Sequence, residues 1–179
     1  EIFNKLVKKS NYKKRYSKIK KFNLKSKYLK KGIAITPVKF GISFTTTHLN
    51  QAGALVHIYT DGSVHLNHGG VEMGQGTNTK IAQLVANELG LSFEKIKISS
   101  TNTSKVPNTS ASAASSTTDL NGAAALDAVS KIKQNLEKFI KKKYNIKNIK
   151  IVYEKGLIKF NKKSFKFATI IKEAYLNRI

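Results

Sequence analysis

An alternating run with an Asp-Gly turn at its centre, followed at once by a glycine-rich loop, restricts the fold of this chain more than any other feature. Residues 54–60 and 63–68 alternate between apolar and polar character on either side of Asp61-Gly62. Asp-Gly readily adopts the positive φ angles of a tight two-residue turn. The pattern therefore predicts a β-hairpin over residues 54–68.

Two loops of small residues each run directly into a helix. Residues 69–76 precede a helix predicted over residues 77–89, which Gly90 ends, and the Ser/Thr/Ala/Asn-rich stretch 100–118 precedes a helix predicted from about residue 119 to Lys142. Helix N-termini present free N–H groups and a partial positive charge. Two such loops facing each other would suit a flat, polar, anionic ligand with a phosphate tail. Glycine turns before ordinary N-capped helices are the alternative.

The remaining pattern predicts an α+β fold. The other predicted elements are a helix over 2–22, strands over 32–39, 41–46, 95–99, 149–153 and 157–160, and a helix from about 167 with Ile170, Ile171, Ala174 and Tyr175 on its apolar stripe. We interpret residues 1–179 as a fragment of a single domain with three parts. These are a basic helical segment (1–31), the hairpin and loop region (32–145) and a C-terminal hairpin and helix (146–179).

Composition excludes several classes of protein. The chain has no cysteine, which excludes disulfides, a zinc–thiolate site and an iron–sulfur cluster held by this chain alone. No apolar run is long enough for a membrane span, and the N-terminal residues do not resemble a signal peptide. We therefore expect a cytoplasmic location without membrane contact. The first residue is not Met, which suggests a cut or processed chain.

The net charge of +23 is confined to the two flanks. Residues 1–32 hold 13 Lys/Arg against one acidic residue and residues 131–179 hold 15 against three, whereas residues 33–130 hold five Lys against six acidic residues. Only Arg15 and Arg178 carry the forked guanidinium favoured in specific phosphate and base recognition. We expect no specific nucleic-acid partner, and a Lys-rich interaction or nucleic-acid-associated module stays open as an alternative.

Histidines and one glutamate are weaker candidates for chemistry. The hairpin carries His57, His65 and His68, and an Asp-Gly two-residue turn would put His57 and His65 on opposite faces. Surface positions on the sheet are therefore favoured over a shared metal site. Glu72 lies beside the glycine-rich loop, but nothing in the sequence predicts the raised pKa of a general base.

Seven segments of the sequence resemble those of a known protein family. The segments Gly32–Thr45, Leu49–His57, Tyr59–Val64, His68–Gly76, Val106–Ser110, Ala113–Ser115 and Asp119–Gly122 resemble the molybdopterin-binding large subunit of the xanthine dehydrogenase and aldehyde oxidase family. The resemblance is close over residues 32–122. Val71 stands where the family usually has Thr, and Ala111 stands where many members have Pro.

The resemblance implies positions for a molybdenum–molybdopterin cofactor and a substrate. One wall of the cofactor pocket is implied at Met73, Gly74 and Gln75, and the facing loop at Ala114, Ser115, Ser116 and Thr117. Ala114 is implied to lie beside the molybdenum without being a ligand and to contact substrate. Phe44 is implied to be one of two rings that sandwich a purine, with Thr45 as its hydrogen-bonding neighbour.

The family's general base is absent from this chain. It is a Glu within a Gly-Glu-Pro-Pro segment, and this chain has only Pro37 and Pro107, neither preceded by Gly-Glu. The resemblance implies a fragment of an enzyme that hydroxylates hypoxanthine and xanthine to urate. Its electrons would pass through 2Fe-2S clusters and FAD, on other domains or subunits, to NAD. An aldehyde oxidase-type molybdenum hydroxylase is an alternative, and we expect this chain alone to be inactive.

Overall fold

The computed structural model describes residues 1–38, 46–105, 108–113 and 115–179. The chain divides into two compact units, residues 1–41 and residues 42–179. Within the described residues, no helix is long and apolar enough to cross a membrane. Helices combine with two small sheets, which confirms the α+β prediction.

The first unit contains two helices where a single one is predicted over residues 2–22. Helix α1 spans Ile2–Lys9 and α2 spans Tyr12–Lys25. Between them Asn11 has a φ of 51°, in the left-handed region that asparagine tolerates better than most residues. Ser and Asn also compete with the helix for backbone hydrogen bonds. The break therefore follows from the Ser10-Asn11 pair.

The strand predicted over residues 32–39 does not form in its described part. Residues 32–38 have no strand structure, and Lys39 and the run 41–45 lie outside the described residues. After α2 the chain instead returns to Asn23, whose amide accepts a hydrogen bond from the Lys31 N–H at 2.8 Å and donates one to the Lys31 carbonyl at 2.9 Å. An extended run forms a strand only where another strand supplies its hydrogen bonds.

The first sheet and its helices carry the two loops. Strand β1 (Ala54–Ile58) pairs antiparallel with β2 (Val64–His68), which pairs parallel with β3 (Ile96–Ile98). Helix α3 (Thr77–Leu89) connects the two parallel strands, as parallel pairing requires a crossover. Helix α4 (Ser116–Lys143) packs on α3 and β1. The hairpin and the start of α3 agree with prediction, and α4 begins three residues earlier than expected.

The hairpin register differs from the expected one. His57 lies opposite His65, and Ile58 lies opposite Val64. The prediction that His57 and His65 occupy opposite faces is therefore wrong, because directly opposed residues share a face.

The shift comes from a longer loop than Asp-Gly alone suggests. The Tyr59 N–H donates to the Ser63 carbonyl at 2.9 Å, and the Gly62 N–H donates to the Tyr59 carbonyl at 2.8 Å. Gly62 has a φ of 80°, so a turn followed by a left-handed glycine closes the hairpin, and the loop has three residues instead of two. The Asp61 carboxylate accepts from the Ser63 N–H and hydroxyl at 2.9 and 2.7 Å, which stabilises the loop.

The second sheet is antiparallel and packs with the last helix. It consists of β4 (Val152–Glu154), β5 (Leu157–Phe160) and β6 (Lys163–Lys166), and α5 spans Phe167–Leu176. Strand β6 is not predicted from the sequence. Tyr175, predicted on the apolar stripe of α5, is 66% exposed, so that prediction is wrong.

The core lies where the predicted stripes of α3, α4 and α5 meet the sheets. Fully buried apolar side chains come from both sheets and all three helices: Val64, Leu66, Ile81, Val85, Leu89, Val129, Ile140, Ile158 and Ile170. Burying such side chains is the main favourable contribution to folding. The loops that precede α3 and α4 therefore rest on a packed scaffold.

Candidate functional site

The glycine loop (residues 69–76) connects β2 to α3 outside any helix or strand, as predicted. Gly74 and Gly76 have φ angles of 98° and 79°, which side chains disfavour. A Cβ added at Gly74 would meet no atom of the described residues within 4 Å. Gly74 is therefore required for backbone conformation, and it leaves open space beside the loop.

Glu72 closes the N-terminus of α3. Its Oε1 accepts from the Gly74 and Gly76 N–H groups at 2.9 Å each, and its Oε2 accepts from the Asn78 N–H at 2.9 Å. Hydrogen bonds from the Asn78 and Gly76 backbone lower the pKa of Glu72, against a smaller opposing effect of burial. Three backbone N–H groups at the start of α3, two in the glycine loop and one in the helix itself, are therefore bonded to Glu72 and not free for a ligand as the sequence predicts. A lowered pKa also disfavours Glu72 as a general base.

Gln75 supports the same loop from within. Its side-chain oxygen accepts from the Met73 N–H at 2.6 Å, and its Nε2 donates to the Val71 carbonyl at 2.8 Å. Lys80 donates to the Gln75 carbonyl at 3.0 Å. Nε2 carries two protons, and among the described residues only one of them has a partner in these bonds. The second proton remains available to a ligand.

The two loops contact each other, as the sequence argument requires. The serine/alanine loop covers residues 108–115, of which Ala114 lies outside the described residues. The Val71 N–H of the glycine loop donates to the Ser112 hydroxyl at 2.8 Å. Gly70 faces the first turn of α4, where an added Cβ would lie 2.7 Å from the Thr117 methyl and 3.1 Å from the Asn121 amide nitrogen. Close approach of the loops therefore requires glycine at position 70.

The N-terminus of α4 differs from that of α3. Ser115 precedes the helix with a φ of 63° and makes no side-chain hydrogen bond to it within the described part of the chain. Ser116 bonds backward, its N–H and hydroxyl both donating to the Ala113 carbonyl, and Thr117 is buried. The backbone donors after Ser116 are thus not capped by Ser115. They are the better candidates for binding an anionic group.

Three predicted site residues cannot be placed. Phe44 and Thr45, expected to contact substrate, and Ala114, expected beside the molybdenum, lie outside the described residues.

His68 is buried, with 1% of its surface exposed, so the prediction of a position on the sheet surface is wrong for this histidine. Its Nδ1 accepts from the Gly70 N–H at 3.1 Å. Nearby, the Thr109 hydroxyl donates to Asn121 Oδ1 at 3.2 Å, and Asn121 Nδ2 donates to the Thr117 carbonyl at 3.0 Å. The signal available in the sequence was a polar acceptor two residues before a glycine N–H, the spacing of a side-chain turn.

The chain is similar to known proteins over most of its length. The sequence model of one protein family, the molybdopterin cofactor-binding domain, matches residues 5–179. Xanthine dehydrogenase of Dictyostelium discoideum is 49% identical over 145 residues, covering 81% of this chain and 11% of that protein. Xanthine dehydrogenase/oxidase of Gallus gallus is 51% identical over 150 residues, covering 81% and 11%.

Solved structures share the fold at lower identity. Quinoline 2-oxidoreductase from Pseudomonas putida 86 matches with a TM-score of 0.65 and 23% identity, over 71% of this chain and 16% of that one. CO dehydrogenase from Oligotropha carboxidovorans matches with a TM-score of 0.65 and 24% identity, over 73% and 16%. This chain spans only about a tenth of the length of the relatives it matches.

Proposed function

Because the chain belongs to the family of molybdopterin cofactor-binding domains, we propose that it forms part of the cofactor pocket of a xanthine dehydrogenase. About half of the aligned residues are identical to xanthine dehydrogenases over most of the chain. The observation that carries the proposal is the direct contact between the glycine loop and the serine/alanine loop through Val71 and Ser112. These are the loops whose residues resemble the two walls of the family's pocket.

The described residues fit a flat anionic cofactor. Among the described residues Gly74 has open space beside it, and Gln75 of the same loop has a second amide proton to donate. The uncapped start of α4 offers backbone donors at the facing wall. Met73 is 69% exposed and can cover apolar parts of a ligand. Ser115, Ser116 and Thr117 complete the proposed facing wall.

In the proposed enzyme this chain and the other parts have different roles. When bound, the molybdenum centre supplies the oxidation–reduction chemistry. This chain's residues orient the cofactor and exclude water, and we assign Phe44, Thr45 and Ala114 to substrate contact. The general base, the 2Fe-2S clusters and FAD belong to other parts or partners of the enzyme. We also propose purine substrates and a cytoplasmic location, with an aldehyde oxidase-type hydroxylase as the alternative.

A chimeric enzyme tests the proposal. The matching segment of Gallus gallus xanthine dehydrogenase/oxidase would be replaced by residues 32–179 of this chain. We expect the purified chimera to retain molybdenum and to oxidise xanthine, because the segment would restore both loops of the pocket. Preference for an aldehyde over xanthine would favour the alternative substrate class. A folded chimera that lacks molybdenum would contradict the proposal.

Within that chimera, Gln75→Ala should weaken cofactor retention without unfolding the domain. The substitution removes two hydrogen bonds within the glycine loop, each worth about 0.5–1.5 kcal/mol. We expect roughly a tenfold loss of cofactor affinity, since 1.4 kcal/mol corresponds to that factor. Molybdenum content after dialysis measures it. Gln83→Ala, on the exposed face of α3, is the matched control and should change nothing.

The basic flanks suggest a second candidate, nucleic-acid binding, and its strength can be predicted. Helices α1 and α2 contain no buried residue and are rich in lysine. Diffuse lysine contacts act by counterion release, so binding to DNA should be lost between roughly 50 and 200 mM salt. Fluorescence anisotropy with a labelled duplex and scrambled competitors measures this. Retention of one sequence at the higher salt would support specific recognition.

A further inference from the structure

His68 occupies the point where β2 leads into the glycine loop. The Gly70 N–H donates to His68 Nδ1 at 3.1 Å. The Thr101 hydroxyl lies within hydrogen-bond distance of both the His68 and Gly70 carbonyls, at 3.1 and 2.9 Å. The turn over residues 68–70 is therefore held by the imidazole on one side and by the residues after β3 on the other.

This turn determines where the two loops meet. Gly70 is buried against Thr117 and Asn121 of α4, with no room for a side chain. The next residue, Val71, donates its N–H to Ser112. If the His68–Gly70 hydrogen bond were lost, the Val71–Ser112 contact would lose its support.

The geometry requires one protonation state of His68. An imidazole nitrogen that accepts a hydrogen bond carries no proton, so the neutral ring must hold its proton on Nε2. Nε2 is buried and makes no hydrogen bond within 3.5 Å in the described ranges, although the Asn78 side chain lies near the ring. A cationic ring would place an N–H of Nδ1 against the Gly70 N–H, two donors facing each other in a buried place.

The groups around His68 are mostly neutral. The Asn78 side chain of α3 and the Glu72 carboxylate act on the ring, and Thr101 donates to the His68 carbonyl. Thr117 and Asn121 of α4 lie against Gly70, two residues along the chain. Burial lowers the pKa of His68, against smaller opposing effects of the Asn78 side chain and the Glu72 carboxylate. The neutral form is thus favoured in the folded chain.

We propose that neutral His68 is a positioning residue of the cofactor pocket, and that its protonation releases the glycine loop from the serine/alanine loop. The inference rests on the proposed function, which makes these loops the walls of the pocket. The direction of the pH effect follows from linkage. The folded chain stays neutral at His68 while the unfolded chain begins to protonate near its ordinary pKa of 6.5. Stability is therefore unaffected above that pH and decreases below it.

Nuclear magnetic resonance on the full chain tests the inference without the cofactor. The ring nitrogens of His68 should show the Nε2–H tautomer at neutral pH. Amide exchange, expressed as protection factors, would be followed from about pH 8 to about pH 5, the range in which histidine changes charge. We expect Gly70 and Val71 to lose protection at the acidic end while the Leu89 amide, in the core, keeps it.

Three variants separate positioning from simple packing. His68→Asn retains an acceptor for the N–H two residues on but does not titrate, so it should protect Gly70 and Val71 at every pH. His68→Leu has no acceptor, so the Gly70 and Val71 amides should be unprotected at every pH. His65→Asn, on the half-buried partner position of the hairpin, is the control and should keep the wild-type pH profile.

Several outcomes would overturn the inference. They are an Nδ1–H tautomer, full protection of Gly70 and Val71 in His68→Leu, or simultaneous loss of protection at Leu89, which would indicate global unfolding. In the chimera, equal molybdenum retention with His68 and with Leu at this position would also overturn it. Failure of the proposed function looks different, because the unsubstituted chimera would then hold no molybdenum while the tautomer and exchange results stand.

Discussion

Replacing Gly90 with alanine is expected to destabilise the chain severely. Gly90 ends α3 with a φ of 63°, where a side chain costs about 1–2 kcal/mol. An added Cβ would also overlap the backbone of Tyr153 and Glu154 in β4. Backbone cannot rotate aside as a flexible side chain can, so overpacking adds typically 1–3 kcal/mol. We expect a loss of about 2–5 kcal/mol in the free energy of unfolding, or roughly 10 °C in melting temperature.

Gly156→Ala is the matched control for that experiment. Gly156 has a similar φ of 74°, and its N–H donates to the Gly90 carbonyl at 2.6 Å. A Cβ added there would meet nothing within 4 Å in the part of the chain that the structure describes. It should cost only the conformational part, about 1–2 kcal/mol. Thermal unfolding followed by circular dichroism compares the two. Equal losses would show that α3 does not pack on β4 as closely as the structure has it.

The elements predicted correctly are those in which the turn and capping residues agree with the spacing of the apolar residues that are buried in the core. Helix α3 has apolar residues on one face, a glycine loop before it and Gly90 after it, and its predicted and observed bounds coincide. Hairpin 54–68 was predicted because Asp61-Gly62 interrupts two alternating runs. The register of the hairpin was predicted wrongly, because Asp-Gly is compatible with both a two-residue and a three-residue loop. Only the hydrogen bonds of Tyr59 distinguish them.

Elements with little apolar content escaped prediction. Strand β6 reads Lys-Ser-Phe-Lys and has mostly exposed residues. The turn before it uses Asn161 and Lys162, both with positive φ, and lysine is not a usual residue there. The strand forms because it pairs with β5, and the sequence pattern does not indicate this pairing. Tertiary context overrides propensity at such edges.

The candidate site was predictable in outline and not in its hydrogen bonding. Runs of small residues before two helices predicted the position of both loops, because small residues let the backbone approach a neighbouring group closely. The sequence could not show that Glu72 would accept from two N–H groups of the glycine loop and one N–H group of α3. It also could not show that His68 would be buried, because that depends on α4 packing over the end of β2.

Replacing Glu72 with glutamine is expected to loosen the glycine loop and the first turn of α3. Glutamine offers one acceptor oxygen, and its amide would turn a donor toward an N–H that the carboxylate now satisfies. Charge-assisted bonds are also stronger than neutral ones, so amide exchange at Gly74, Gly76 and Asn78 should accelerate roughly tenfold or more at neutral pH. In the chimera the same substitution should reduce molybdenum content, because the loop loses its fixed shape.

Acid should have the same effect on the wild-type chain, at a pH that the carboxylate determines. Backbone hydrogen bonds lower the pKa of Glu72 from its ordinary 4.5. Its contribution is therefore present above that pH and is lost only as the pH falls through the lower folded-state value. Below it, the wild-type chain and Glu72→Gln should exchange these three amides at similar rates.

A charge-matched control separates this effect from a change in net charge. Glu94 is exposed and lies in the short turn Phe93–Lys95, and its pKa is lowered by its own backbone N–H and by Ser92. Glu94→Gln should leave exchange at Gly74, Gly76 and Asn78 unchanged. If Glu72→Gln also leaves those three amides protected at neutral pH, the carboxylate does not hold the loop. The shape of the glycine loop would then have to come from Gln75 and its glycines alone.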